Sequence, residues 1–205
     1  MEAKPLTGKG LHNEVMKLFL ESKFKKNVII LDAGCGEGAL LKRLSCAGYK
    51  NLNGCDINDK NVKFKKMKLK KSDLNIKLPY KNESFDVVFS VENIEHLENP
   101  WGFIKEIHRV LKPKGTFILS TPNLHNWYQR LNYLFTGTFN GFETDPEQKY
   151  HIYPAFFWSL KKMTYKKFKI NDVSYGRSII PILQIKIPLK NSLVSECYIV
   201  KMKKI

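Results

Sequence analysis

A short glycine-rich segment, LDAGCGEG at residues 31–38, places three glycines close to a carboxylate at position 32. Glycine permits tight turns and close approach of the backbone to a ligand. Asp56 follows about 20 residues downstream, the spacing at which dinucleotide-binding folds hold ribose hydroxyls. Gly34, Gly36 and Ala39 also satisfy the G-x-G-x-x-[G/A] fingerprint of those folds. The glycine pattern therefore predicts a nucleotide-like ligand without choosing which one.

The carboxylate of Asp32 distinguishes between two classes of ligand. A dinucleotide would place its pyrophosphate near this turn, at a helix N-terminus that favours anions, and a carboxylate would repel it. S-adenosylmethionine has no phosphate, and it carries an ammonium group and a cationic sulfur that a carboxylate attracts. Asp32 therefore favours S-adenosylmethionine over a nicotinamide dinucleotide as the ligand.

Several further segments extend this pattern along the chain. Residues 31–38 resemble motif I of the class I S-adenosylmethionine-dependent methyltransferases, in the type 11/12-like group of small-molecule or glycan and lipid O-methyltransferases. The resemblance covers about residues 26–123, through GCDI (54–57), SDLN (72–75), LPYKNESFDVVFSVENIEHL (78–97) and HRVLKPKGTFILSTPN (108–123). It implies an α/β, Rossmann-like fold with a seven-stranded, mainly parallel sheet. The implied strand order is 3-2-1-4-5-7-6, with the last strand antiparallel and helices on both faces.

The same resemblance implies which residues bind the cofactor. It assigns the methionine part to the glycine turn, the ribose to the second acidic site and the adenine to the residues after the second and third strands. One serine at the end of the fourth strand would lie beside the sulfonium. The implied set is Asp32, Ala33, Gly34, Cys35, Gly36, Gly38, Asp56, Ile57, Asp73, Leu74 and Ser90.

Two carboxylates and an imidazole follow the fourth predicted strand, in SVENIEHL. Glu92, Glu95 and His96 are spaced i, i+3, i+4, so that on a helical turn they would share one face. His96 could act as a general base on an acceptor hydroxyl, or it could hold structure by hydrogen bonding while Glu95 fixes the next loop. A third interpretation is a divalent metal bound by all three, since quinone-type O-methyltransferases with a similar E-x-x-E-H stretch are thought to use one. We predict these three residues as the catalytic group and predict no metal.

The sequence is less informative about the methyl acceptor than about the cofactor. No Asn-Pro-Pro-Tyr follows the fourth strand, which disfavours methylation of a nucleobase or amide nitrogen, whereas STPN after the fifth strand resembles small-molecule, sugar and lipid-linked O-methyltransferases. Aromatic residues are dense from 124 to 157 and could form an acceptor pocket, a lid or simply core. His125, Arg130 and His151 flank this region and could bind an acceptor or be ordinary loop residues.

Hydrophobic patterning predicts the elements that position these groups. Up to residue 123 the pattern is strand, helix, strand, strand, strand, helix, strand, which predicts an α/β layout in a single domain spanning 1–205. We divide this domain into a cofactor-binding core (26–123), acceptor-side insertions with strand 6 (124–192) and a last strand (193–205). About sixteen residues separate Asp56 from Asp73, so the helix usual there must be very short or absent. The lysines of 63–71 would lie on an edge strand, where they prevent unwanted pairing, or form a polyanion-binding patch.

Composition sets the remaining expectations. The 205 residues have a net charge of +16, mostly from lysine, which is typical of a solvated surface but leaves RNA binding by an inactive, methyltransferase-like fold as an alternative. A nicotinamide-dependent oxidoreductase is a weaker alternative. The four cysteines lack disulfide or metal spacing, and no signal peptide or membrane-spanning run is present, so we expect a cytoplasmic protein of unknown oligomeric state. The apolar segment around 179–189 could touch a membrane, form a dimer contact or be a buried connection.

Overall fold

The computed structural model describes residues 3–5, 7–8, 10–142, 151–180, 185–186 and 188–205. The helices are α1 (Leu11–Glu21), α2 (Ala39–Cys46), α3 (Pro100–Val110), α4 (Trp127–Thr136) and α5 (Phe157–Thr164). The strands are β1 (Ile30–Ala33), β2 (Leu52–Asp56), β3 (Lys68–Lys71), β4 (Phe85–Val91), β5 (Leu111–Pro122), β6 (Phe168–Ile180), β7 (Ile185–Lys186) and β8 (Ser195–Lys204). The order of strands and helices predicted for residues up to 123, with three successive strands before α3, is confirmed.

The strands form one sheet in the order β3-β2-β1-β4-β5-β8-β6-β7. Strands β1 to β5 pair in parallel, whereas β8 pairs antiparallel with both β5 and β6. The implied seven-stranded order is confirmed, because β8 takes the place of the seventh strand. The difference is β7, two residues that extend the β6 edge by pairing with Ile179 and Ile180. Most of the apolar segment 179–189 lies outside the residues whose side chains the structure describes.

Two hydrophobic clusters hold helices on both faces of the sheet. One face is covered by α1 and α2, through residues such as Phe19 and Leu41, and the other by α3 and α5, through residues such as Phe103 and Leu160. All four of these side chains are fully buried. Strand β1 is buried along its whole length, as expected of a central parallel strand, and it includes one charged residue, Asp32.

The connection between β2 and β3 has only a 3₁₀ turn, Asp59–Asn61, where the family fold usually has a helix. The predicted loss of that helix is therefore confirmed. Strand β3 lies at the edge of the sheet, and its three lysines are exposed. In the next connection, Arg109 of α3 donates to the carbonyls of Leu78 and Tyr80 and pairs with Glu106. Arg109 therefore holds the irregular connection between β3 and β4 against α3.

Helix α4 lies inside the aromatic-rich segment 124–157, and α5 begins at its last residue. Between these helices, residues 143–150 lie outside the described part of the chain. The four cysteines are free thiols, as expected from their spacing. Among the described residues, the helices are all too short or too polar to cross a bilayer.

Candidate active site

The carboxyl ends of β1, β2 and β4 meet at one cavity of about 450 Å³. This is where open α/β sheets bind their ligands, and the volume lies in the range of small-molecule sites. Asp32 is the last residue but one of β1, Asp56 ends β2, and Glu92 follows β4. All three line the cavity, so the sheet topology brings together carboxylates that are 24 to 60 residues apart in the sequence.

The glycine turn forms one wall of this cavity. Gly34 has a φ of +80°, and a Cβ atom there would collide with the side chain of Asn93. That side chain donates its Nδ2 hydrogens to the carbonyls of Ala33 at 3.2 Å and Val91 at 3.0 Å, which ties β1 to the end of β4. The backbone N–H of Gly36 donates to Oδ2 of Asp56 at 2.8 Å. The turn is therefore held in a shape that only glycine permits, and it is already joined to the second acidic site.

Asp32 is almost fully buried in this wall, with 3% of its surface exposed. Its burial, and secondarily the charge of Asp56, raise the pKa of Asp32 well above its ordinary value. A buried carboxylate beside a second, partly exposed one favours a cationic ligand and opposes an anionic one. The wall consequently fits a phosphate-free, positively charged group.

The structure brings only part of the predicted cofactor set to the cavity. The predicted residues that line it are Asp32, Gly34, Cys35, Gly36 and Asp56. Ala33 and Gly38 belong to the same turn, where Gly38 has a φ of +87°. The roles of these residues in cofactor binding stay predictions.

The residues predicted for the adenine and sulfonium lie elsewhere around the site. Ile57 is 62% exposed just beyond β2, and Leu74 is buried in the core. Asp73 accepts hydrogen bonds from the backbone and the side chain of Asn75. Ser90 is fully buried, and its hydroxyl has no hydrogen-bond partner among the described residues. None of these four is among the described residues that line the cavity, so their assignments rest on the sequence resemblance.

Glu92, Glu95 and His96 lie together at the cavity, on a 3₁₀ turn, Ile94–His96, rather than on an α-helix. Glu95 is fully buried, and its Oε2 accepts a hydrogen bond from Thr121 at 2.9 Å. Burial, and then the neighbouring charge of Glu92, raise the pKa of Glu95 well above its ordinary value. His96 is exposed to the cavity. The turn therefore presents one imidazole outward and keeps one carboxyl inside.

His151 completes this end of the cavity. Its ring lies 4.8 Å from that of His96, and the carbonyl of Glu95 accepts hydrogen bonds at 2.9 Å from the N–H groups of Ile152 and Tyr153. Burial, and then the charge of His96, lower the pKa of His151 to about 4. Because 55 residues separate the two histidines, spacing along the chain offered no signal that they form one cluster.

Among the described residues, Glu95, His96 and His151 form a group that could hold a metal ion. One ligand atom each from Glu95, His96 and His151 lie within 4.8 Å of one another. A carboxylate with two imidazoles suits zinc or another transition metal. The metal alternative from the sequence named Glu92 in place of His151, so the structure offers a different set of ligands.

The N-terminal segment closes the other side of the cavity, and sequence patterns did not indicate it. Lys4, Thr7 and His12 all line the cavity. The backbone N–H of Lys4 donates to Glu37 at 2.7 Å, and Lys63 pairs with the same carboxylate at 2.6 Å. Burial, and then the charge of Arg43, lower the pKa of His12 to about 4. This segment adds the side chains of a lysine, a threonine and a histidine to a cavity that is otherwise rich in carboxylates.

Comparison with known proteins agrees with this geometry. Residues 31–119 match the sequence model of a family described as "Methyltransferase domain". The chain is 32% identical over 100 residues to 27-O-demethylrifamycin SV methyltransferase of Amycolatopsis mediterranei, covering 44% of this chain and 37% of that protein. It is 34% identical over 116 residues to the ubiquinone biosynthesis O-methyltransferase of Pelagibacter ubique, covering 52% of this chain and 47% of that protein. The chain thus spans less than half the length of these two relatives.

Solved structures show the same fold. A SAM-dependent methyltransferase from Archaeoglobus fulgidus is 20% identical, with a TM-score of 0.65 over 93% of this chain and 94% of that one. The MccD protein is 15% identical, with a TM-score of 0.70 over 98% of this chain and 100% of that one. These structures support the fold, and the family model, together with the strand order and the carboxylate-lined glycine turn, identifies residues 31–119 as a methyltransferase domain of the class I, S-adenosylmethionine-dependent family.

Proposed function

We propose that the protein transfers a methyl group from S-adenosylmethionine to a hydroxyl oxygen of a small-molecule, sugar or lipid-linked acceptor. One observation carries this proposal: a single cavity is lined by the glycine turn with Asp32 and Asp56 at one end, and by Glu95, His96 and His151 at the other. A donor held at the first end would direct its reactive methyl group toward the second. Proximity of this kind is the main requirement of the reaction.

The preference for oxygen rests on the relatives and on the site. Both of the sequence relatives above carry O-methyltransferase activities in their names. A hydroxyl acceptor must lose a proton as it attacks, and a base within hydrogen-bond reach accelerates that loss. The cavity offers an imidazole for this task at the end opposite the glycine turn.

His96 suits the role of base better than its two carboxylate neighbours. It is exposed to the cavity, whereas Glu95 is buried and its raised pKa favours the protonated form, which cannot accept a proton. Glu95 instead holds the turn, because its side chain bonds Thr121 and its carbonyl bonds the 152–153 backbone. S-adenosylmethionine, when bound, supplies a methyl group on a sulfonium that is a good leaving group. His96 would take the acceptor's proton, and the backbone of 34–36 would hold the donor's carboxylate.

Calorimetry with three ligands tests the cofactor assignment. We expect heat of binding with S-adenosylmethionine and with its demethylated product, and none with NADH, because the dinucleotide would bring phosphates against Asp32. Binding of NADH alone would refute the proposed function, and binding of none of the three would point to an inactive fold.

Substitution of His96 tests the chemistry. In His96→Ala we expect turnover to fall by about 10² to 10⁴ while affinity for the donor is unchanged. The assay follows transfer of a radiolabelled methyl group to the first acceptor found in a panel of phenols, sugars and lipid-linked hydroxyls. His108→Ala is the matched control, because His108 lies on α3 against Phe168 and away from the cavity. Equal turnover in both variants would exclude His96 as the base.

A further inference from the structure

Helix α4 turns an apolar face outward. Leu131, Leu134 and Phe135 are spaced i, i+3, i+4 on this helix and are 45%, 72% and 80% exposed. The one α4 side chain that is buried is the polar Gln129. Amphipathic helices normally bury their apolar stripe against the core. Here the stripe faces solvent, which is the arrangement of a binding surface.

A row of aromatic rings runs from Tyr133, which flanks this stripe on α4, to α5. Tyr133 stacks on Phe139 at 4.8 Å, Phe139 contacts Phe156 at 5.5 Å, and Phe156 stacks on Trp158 at 6.0 Å. Tyr133 and Trp158 are themselves about half exposed, at 52% and 54%. We call the exposed members the outer patch. They are Leu131, Tyr133, Leu134, Phe135 and Trp158.

Positive charge borders the outer patch. The ammonium of Lys162 lies 5.4 Å from the ring of Trp158, that of Lys161 lies 4.8 Å from the ring of Phe157, and Arg130 is exposed on α4. Across residues 124–180 the sequence carries eight basic and four acidic side chains, three of the acidic ones in 143–150, outside the described residues. The whole chain has a net charge of +16. The patch is therefore apolar and aromatic, with a cationic border.

We propose that the outer patch docks onto the surface of an anionic lipid bilayer. Leucine and phenylalanine would enter the acyl boundary, tyrosine and tryptophan would lie at the headgroup level, and lysines would contact lipid phosphates. Lysine stems can lie along apolar surface while their charged ends reach the headgroups. A second copy of this chain is a poorer occupant, because two highly basic surfaces would repel each other, whereas an anionic bilayer attracts both the lysines and the net charge.

Ring contacts connect the outer patch to the acceptor end of the cavity. Phe139 contacts Phe142 at 6.3 Å, Phe142 contacts His151 at 4.9 Å, and His151 contacts His96 at 4.8 Å. Docking through the patch would bring that end of the cavity toward the membrane, where a lipid-linked hydroxyl could reach His96. This consequence rests on the proposed function, whereas docking itself does not.

Vesicle binding tests the proposal. The full chain is sedimented with vesicles of phosphatidylcholine alone and of phosphatidylcholine mixed with phosphatidylglycerol. We expect binding to the anionic vesicles that weakens with salt. The double variant Leu134→Ser, Phe135→Ser should lose at least about tenfold in partitioning, and Lys161→Gln with Lys162→Gln about fivefold per lysine. Ile76→Ser is the matched control, because Ile76 is 63% exposed on the connection between β3 and β4, and it should bind normally.

Three results would overturn the proposal. The first is no binding of the unaltered chain to anionic vesicles. The second is an equal loss in Ile76→Ser. The third is a concentration-dependent dimer, seen by sedimentation velocity, that disappears in the Leu134→Ser, Phe135→Ser variant, since the patch would then be a self-association surface. Donor affinity measured by calorimetry on the same variants keeps this outcome separate from failure of the proposed function.

Discussion

Replacing Asp32 by asparagine tests the electrostatic basis of cofactor recognition. The substitution keeps the size of the side chain and removes its charge. In the free protein, burial and the charge of Asp56 raise the pKa of Asp32, so its carboxyl keeps a proton to higher pH than an exposed aspartate does. A bound cation favours the ionised carboxylate. Binding of S-adenosylmethionine should therefore release a proton from this residue.

The expected magnitude follows from burial. Asp32 is only 3% exposed, so solvent and salt screen its interaction weakly. Removing one partner of a buried charge pair costs about 2–5 kcal/mol, which is roughly 30-fold to several thousand-fold in affinity. Below the raised pKa of Asp32, the affinity of the unaltered protein should rise with pH by up to about tenfold per unit and then level off. Asp32→Asn should show no such rise, so the two proteins should converge in affinity at low pH.

Calorimetry across this pH range, in two buffers with different ionisation enthalpies, measures both the affinity and the number of protons released. Asp172→Asn is the control, because that carboxylate lies on β6, is half exposed and pairs with Lys201 at 3.6 Å. Melting temperatures verify that the variants fold. The melting temperature of Asp32→Asn should not be lower than that of the unaltered protein, because the substitution removes a buried charge. Equal donor affinity in Asp32→Asn and the unaltered protein at high pH, or pH-independent binding, would refute the reasoning.

Three further substitutions test the architecture around the site. Gly34→Ala should cost about 1–3 kcal/mol of stability and weaken donor binding, because the added Cβ would meet the side chain of Asn93. Gly137→Ala is the control, because Gly137 also has a positive φ, +73°, but has open space around it. This control should leave donor binding intact. Glu95→Gln should become more stable relative to the unaltered protein as pH rises from the ordinary to the raised pKa of Glu95, by up to about 1.4 kcal/mol per pH unit. The reason is that the folded Glu95 carboxyl retains a proton that the unfolded chain releases. Urea unfolding from pH 5 to 8 measures this difference, and a parallel pH dependence in both proteins would contradict it. Arg109→Ala should lower the free energy of unfolding by about 2–4 kcal/mol through loss of its bonds to the connection before β4, and a denaturation midpoint that does not move would contradict this.

Local sequence was sufficient to predict that the glycine turn and two carboxylates meet at one end of the cavity, and it predicted most of the sheet. The glycines of 34–38 and the carboxylates Asp32 and Asp56 occur at the ends of short apolar runs, and parallel strands bring such ends to one edge. The sixteen-residue spacing before Asp73 likewise predicted a missing helix, because too few residues remain to form one. These features depend on residues close together in the sequence, or on the rule that the carboxyl ends of parallel strands meet at one edge of the sheet.

The acceptor end depended on contacts that no spacing reveals. The sequence by itself determined that a carboxylate lies in a glycine turn, and this predicted a cationic ligand. Only the tertiary structure decided that His151 lies against His96, that the N-terminal Lys4 and His12 close the cavity, and that the apolar stripe of α4 faces outward. The physical reason is that hydrophobic periodicity shows which residues share a helix face but not what covers that face, and long-range packing alone brings residues 55 or more positions apart into contact.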